Sequence, residues 1–113
     1  MSGNHKLGKR TDQRKAMLRA MVTYLLENGQ IKTTLARAKE VAPLTEKMIT
    51  LSKKNDLAAY RQALAFITKE DVAHKLFTEM NQKYMSRDGG YTRIVRMGPR
   101  KGDAAEMAII QLV

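Results

Sequence analysis

Side chains that could support catalysis are few in this sequence and lie far apart. The chain has no cysteine, which excludes thiol chemistry, disulfides and zinc ribbons, and its two histidines are His5 and His74. Glu70 and His74 would share one helix face, but two ligands make a poor metal site, so we predict an ordinary solvated pair. The sequence contains neither a Gly-rich nucleotide-binding loop nor an H-E-x-x-H zinc motif. We therefore predict no catalytic residue, no metal and no cofactor.

Lysine and arginine dominate the charged residues. There are 21 of them against 11 Asp and Glu, which gives a formal net charge of +10. Domains of this size usually carry a net charge of magnitude about 2–8, so the excess indicates a polyanionic partner, either nucleic acid or an acidic membrane surface. Most of it lies in residues 1–15 and 91–101, whereas residues 55–90 carry no net charge. We expect the fold to bring both basic segments to one face, where they meet phosphates.

The length of 113 residues fits one domain. No apolar run approaches the ~20 residues that span a bilayer, and the polar, basic N-terminus is unlike a secretory signal. We expect a soluble, cytoplasmic protein. Residues 1–10 show no periodicity and are predicted to form a basic N-terminal arm, extended and disordered until bound, while residues 11–113 form the folded domain.

Hydrophobic periodicity predicts four helices. The first begins after a cap at residue 11 or 12 and ends at Gly29, and the second begins after a cap at residue 33 or 34. Pro43 lies within the second helix, so we expect a kink there or two abutting helices. A third helix, capped by Asp56, has Leu57 among its inward-facing residues. The fourth begins at residue 68 or 69 and carries the last apolar stripe.

Strand signals frame this helical region. Residues 30–33 predict a brief strand, and the β-branched and aromatic residues of 91–97 and 106–113 predict an antiparallel hairpin around a Gly/Pro loop. Tyr91, Thr92 and Arg93 offer a stacking face, a hydroxyl and a guanidinium that suit RNA, although Tyr91 could equally be a core aromatic at a strand start. The loop presents Arg100 and Lys101, and its alternative interpretation is an ordinary solvated hairpin tip.

Two other classes of function compete with RNA binding. A small architectural DNA-binding protein is the main alternative, and it would be favoured by a dimerising coiled coil or a helix-turn-helix, neither of which the sequence indicates. A compact RNA-cleaving enzyme needs a general acid or base near its cationic strand. Residues 91–101 contain no His, Asp or Glu, so we predict that the protein is not an enzyme.

Six stretches, taken in order, make the chain resemble the bacterial large-subunit ribosomal protein seventeen family over essentially its whole length. The most specific is Gly-Gly-Tyr-Thr-Arg-Ile at residues 89–94. The others are residues 14–19, 31–40, 76–77, 98–104 and 110–113. The resemblance implies an α+β fold in which helices pack on a small mixed sheet made of a short strand plus a C-terminal β-hairpin.

The resemblance also implies a structural role in the large ribosomal subunit. In this role the protein binds large-subunit (23S-type) rRNA on the solvent side near the polypeptide exit tunnel, contacts neighbouring ribosomal proteins, and supports subunit assembly and translation. No membrane and no small-molecule substrate are implied. By position, the implied RNA-binding residues form three blocks: Lys6, Lys9, Arg10, Arg14, Lys15 and Arg19; Lys32, Thr33, Thr34, Arg37 and Lys39; and Tyr91, Thr92, Arg93, Arg96, Arg100 and Lys101.

Overall fold

The computed structural model describes the backbone of residues 2–113 and the side chains of residues 11–113, and it has the predicted α+β architecture. Helices pack against one face of a three-stranded sheet. The elements in chain order are α1 (Ser2–Asn28), β1 (Gln30–Thr34), α2 (Leu35–Lys54), α3 (Leu57–Phe66), α4 (Glu70–Lys75), a π-helical segment (Leu76–Met80), α5 (Asn81–Lys83), β2 (Thr92–Pro99) and β3 (Glu106–Leu112).

The first helix is longer than its apolar stripe. It contains 27 residues, which at ~1.5 Å each span about 40 Å, and the longest dimension of the molecule is 42 Å. The predicted start at residue 11 or 12 was therefore wrong, as was the extended backbone predicted for the preceding residues, since the backbone is helical from Ser2. Gly3 and Gly8 each disfavour helix by only ~1 kcal/mol relative to Ala, and no proline interrupts this stretch.

The second helix passes through Pro43 as a single 20-residue element, which excludes two abutting helices. Thr34 is its cap, because the side-chain oxygen accepts a hydrogen bond from the backbone N–H of Arg37 at 3.3 Å. Pro43 cannot donate to the carbonyl of Lys39, one turn earlier. Both residues are exposed, so the helix tolerates the missing bond on its solvent side.

The third helix packs on the core through Tyr60, Leu64 and two alanines, but one predicted inward-facing residue is exposed. Its buried residues are Ala59 and Ala63, one turn apart, whose small side chains suit a close approach to the helices beneath. Leu57 was predicted to face inward and is instead 63% exposed, so this prediction was wrong. Leu57 directly follows the cap Asp56, at the very start of the helix, where the neighbouring elements leave it uncovered.

The sheet is antiparallel throughout, with strand order β1-β3-β2, so the expected mixed sheet was wrong in its strand directions. The observed register explains why the strands pair in antiparallel directions. Ile110 pairs with Ile31 on one side and with Ile94 on the other, so antiparallel pairing places all three isoleucines on the face that the helices cover. The opposite face has no helix packed on it among the described residues.

Candidate nucleic-acid interface

One end of the sheet gathers the basic segments that the sequence separates. In the register, Met107 pairs with both Thr34 and Gly98, so the start of α2 and the tip of the β2–β3 hairpin lie at the same end. Two surface grooves confirm the proximity: one is lined by Thr34, Lys39 and Ala105, and the other joins Arg14 on α1 to the start of α2. We call this region the basic end; its described cations are Arg14, Lys15, Arg37, Lys39, Arg96, Arg100 and Lys101.

Glu40 organises two of these cations. Its Oε2 lies 2.7 Å from Arg14 Nη2 and 3.7 Å from Arg37 Nη1, which ties the first helix to the second. The side chains are partly exposed, so each pair adds little to stability. Their effect is geometric, because one carboxylate holds two guanidinium groups side by side and leaves a net positive charge beside the groove.

The hairpin tip is held by a second ion pair. Arg100 donates to both carboxylate oxygens of Asp103, at 3.1 and 2.6 Å. The bonded guanidinium lowers the pKa of Asp103 from 3.8 to about 2. Gly98 and Gly102 have φ values of 85° and 103°, which glycine adopts at low cost, so the turn depends on both of them. The adjacent Lys101 extends into solvent.

Several cations at the basic end have no partner among the described residues. Within residues 11–113 they form neither an ion pair nor a hydrogen bond, and they are exposed; they are Lys15, Lys39, Arg96 and Lys101. Lysine and arginine in this state keep their donors free for phosphate oxygens. The side chains of Lys6, Lys9 and Arg10 lie outside the described residues. Their backbone continues α1 beyond Arg14, away from the Gly29 end.

The motif Gly-Gly-Tyr-Thr-Arg-Ile at residues 89–94 is held against α2 by hydrogen bonds. Glu46 on α2 accepts hydrogen bonds from the backbone N–H groups of Gly90 and Tyr91 through Oε1, at 3.0 and 3.3 Å, and from the Thr92 hydroxyl through Oε2 at 3.1 Å. Lys53, also on α2, donates to the Tyr91 hydroxyl at 2.9 Å, and this hydrogen bond lowers the pKa of Tyr91. We call this arrangement the latch.

The latch decides between the two interpretations of Tyr91. The ring is 3% exposed and packs edge-to-face on Tyr84 with centroids 5.3 Å apart, so it is a core aromatic and its faces are closed to a base. The Thr92 hydroxyl is likewise already donated to Glu46. Sequence patterns could not find Glu46 or Lys53, because they lie about 40 residues from the motif in an ordinary amphipathic helix.

Other residues predicted for RNA contact serve the fold or lie elsewhere. Arg19 is half-buried and donates from Nε to the carbonyl of Phe66 at 2.9 Å, so it joins α1 to the end of α3. Thr33 is half-buried beside Ala108, and the Thr34 oxygen is used in the cap. Two further residues lie on the uncovered face of the sheet: Lys32, which is exposed, and Arg93, which donates to Gln111 at the end of β2 remote from the basic end.

Potential metal ligands do not cluster in the described part of the chain. Residues 11–113 hold no cluster of three or more His, Cys, Asp or Glu side chains that could bind a metal ion. Glu70 and His74 are exposed and make no ion pair with each other. No helix in the described part of the chain has the length and apolar character needed to cross a membrane.

Comparison with known proteins identifies the family. The family described as ribosomal protein L17 matches residues 17–113. The large ribosomal subunit protein bL17 of Clostridium acetobutylicum is 59% identical over 112 residues, covering 99% of this chain and 98% of the relative. The bL17 proteins of Clostridium tetani and Clostridium botulinum are each 57% identical over 113 residues, covering both chains completely. The chain therefore belongs to the ribosomal protein L17 family.

Proposed function

We propose that this protein is a structural constituent of the large ribosomal subunit and binds large-subunit rRNA through the basic end. The observation that carries the proposal is the convergence of α1, the start of α2 and the hairpin tip at one end of the sheet, with exposed cations that lack a protein partner. The whole-length similarity to bL17 proteins supports the ribosomal context.

The mechanism is charge neutralisation on a rigid support. Phosphate contacts from lysine and arginine release condensed counterions, which gives affinity without sequence selection. The ion pairs of Glu40 and Asp103 fix the positions of the neighbouring guanidinium groups before RNA arrives, so less side-chain freedom is lost on binding. The backbone of Lys6, Lys9 and Arg10 continues α1 beyond Arg14, and we propose that these residues extend the contact along RNA.

The wider setting follows from the family. We propose a cytoplasmic location within the large subunit, near the polypeptide exit tunnel, where the protein supports assembly and translation and contacts neighbouring ribosomal proteins. Large-subunit rRNA and those proteins are its partners, and no small-molecule substrate or cofactor takes part. Membership of the family makes the protein a structural component rather than an enzyme.

The test measures binding of the full-length protein to transcribed large-subunit rRNA across a range of salt concentrations. The interface variant carries Lys39→Ala, Arg96→Ala and Lys101→Ala. The matched control carries Lys47→Ala, Arg61→Ala and Lys75→Ala, which removes the same charges from exposed positions elsewhere. Each lost phosphate contact lowers the magnitude of the slope of log K against log salt by about 0.7–0.9, so we expect a decrease of about 2–3 for the interface variant and less than 1 for the control.

Equal decreases in the two variants would show that the basic end is not the binding surface. Circular dichroism spectra should match the wild type in both, because all six substituted side chains are exposed. Competition between rRNA and duplex DNA of the same length distinguishes RNA binding from the architectural DNA-binding alternative. Tighter binding to DNA than to rRNA at equal salt would favour that alternative.

A further inference from the structure

A surface groove of the described residues lies away from the basic end. It is a groove of about 620 Å³ between the start of α3 and the π-helical segment with the residues after it. Tyr60 and Phe77 line it and pack edge-to-face with ring centroids 5.1 Å apart. A π-helical turn is rare and often marks a functional position, and here it shapes one wall.

Two unusually exposed apolar side chains line this one groove. Leu57 is 63% exposed and Met85 is 53% exposed, the highest values among the large apolar side chains of residues 11–113. Single exposed apolar residues are ordinary, but apolar side chains gathered around a concave surface mark a binding site for another apolar group. Methionine adapts its shape to an incoming side chain, which favours the same conclusion.

The charge around the groove selects the class of partner. Asp56 is the only Asp, Glu, Lys or Arg among the described residues that line the groove, in a protein with a formal net charge of +10. The surrounding segment, residues 55–90, carries five Lys and Arg and five Asp and Glu. Phosphates are therefore not attracted to this wall, whereas a lysine or arginine beside an incoming apolar residue would meet Asp56.

We propose that this groove binds an apolar side chain from a basic segment of a neighbouring ribosomal protein. The apolar side chain lies against Leu57, Met85 and the Tyr60–Phe77 pair, and the basic flank lies near Asp56. The protein thus has two unlike surfaces: the basic end for RNA and the neutral groove for protein. This inference rests on the proposed function, because the partner is a component of the same subunit.

The experiment places the photo-crosslinking residue p-benzoylphenylalanine in the full-length tagged chain, which is expressed in bacteria and isolated within purified large subunits. Position 57 or 85 probes the groove. Position 62, an exposed glutamine on α3 that does not line the groove, is the matched control, and position 101 probes the basic end. After irradiation, adducts are treated with ribonuclease or protease, and crosslinked peptides are identified by mass spectrometry.

We expect positions 57 and 85 to form ribonuclease-resistant adducts with one ribosomal protein, at least tenfold above position 62, through a peptide of net positive charge. RNA adducts at positions 57 and 85, an acidic crosslinked peptide, or no protein adduct above position 62 would each overturn the inference. Recovery of the tagged chain in the large subunit, with RNA adducts at position 101, keeps the proposed function intact in those cases. Absence of the chain from the subunit would instead contradict the proposed function.

Discussion

Glu46 is the residue whose removal should most disturb the hairpin without touching RNA. Its carboxylate accepts three hydrogen bonds from residues 90–92, immediately before and at the start of β2. The preceding glycines, Gly89 and Gly90, have φ values of 82° and 64°, so the chain turns sharply there. In Glu46→Ala, two backbone N–H groups and one hydroxyl lose their acceptor, and of the latch the hydrogen bond between Lys53 and Tyr91 remains.

The expected cost follows from the character of these bonds. A hydrogen bond to a charged group contributes about 1.5–3 kcal/mol when well buried, and Glu46 is half-buried, so water replaces part of each lost bond. We therefore expect the free energy of unfolding to decrease by about 2–4 kcal/mol rather than by the full sum. A change of 1 kcal/mol lowers the melting temperature of a domain of this size by about 4 °C, so the expected decrease is about 8–16 °C.

Urea unfolding followed by circular dichroism measures the free energy directly. Glu79→Ala is the matched control, because it removes the same charge from an exposed residue that forms no ion pair among the described residues. We expect the control to stay within about 0.5 kcal/mol of the wild type. A Glu46→Ala protein as stable as the Glu79→Ala protein would refute the latch as a source of stability.

Three further predictions concern single residues. Asp103 should titrate near pH 2 in the free protein when followed by nuclear magnetic resonance, below its ordinary pKa of 3.8. The ion pair with Arg100 is therefore complete above pH 3.8 and is lost as the pH falls through about 2. Arg100→Ala should return the pKa of Asp103 toward 3.8. Arg19→Ala should lower the melting temperature by several degrees, because the bond to the Phe66 carbonyl is lost, and leave the salt slope of RNA binding unchanged; a slope lower by ~0.7 or more would place Arg19 at the interface. Pro43→Ala should raise the free energy of unfolding by about 1–2 kcal/mol by restoring a helical bond, and no gain on urea unfolding would contradict this.

Local sequence signals predicted most of the helices and strands. The apolar stripe around Val22, Leu25 and Leu26 predicted the first helix, and these residues are buried. The Gly/Pro loop after residue 97 predicted the hairpin, and the strands lie within two residues of the expected bounds at each end. Errors arose where local propensity was weak: the glycines near the N-terminus hid the start of α1, and Leu57 lies at a helix start where burial depends on what packs nearby.

The proposed RNA-contacting residues were harder to predict, because the positive charge of a side chain does not tell whether it already bonds to a group within the protein. The sequence indicates equally that Arg19 and Arg93 could meet phosphates, but each donates a hydrogen bond within the protein and lies away from the solvent-facing cations of the basic end. Lys101 and Lys39 differ from them only through the absence of a nearby acceptor among the described residues, which requires knowledge of contacts between distant segments. The same long-range pairing separates Tyr91 in the core from a tyrosine that could stack on a base.

Association with the large subunit tests the central claim most directly. A tagged full-length chain is expressed in bacteria, and the lysate is sedimented through sucrose gradients at moderate and at high salt. Surface adhesion through ~6–10 phosphates weakens by about 10³–10⁵ between 50 and 200 mM salt, whereas an integrated component is retained by many neighbours. We predict that the protein sediments with the large subunit at both salt concentrations. Its recovery at the top of both gradients would contradict a ribosomal role.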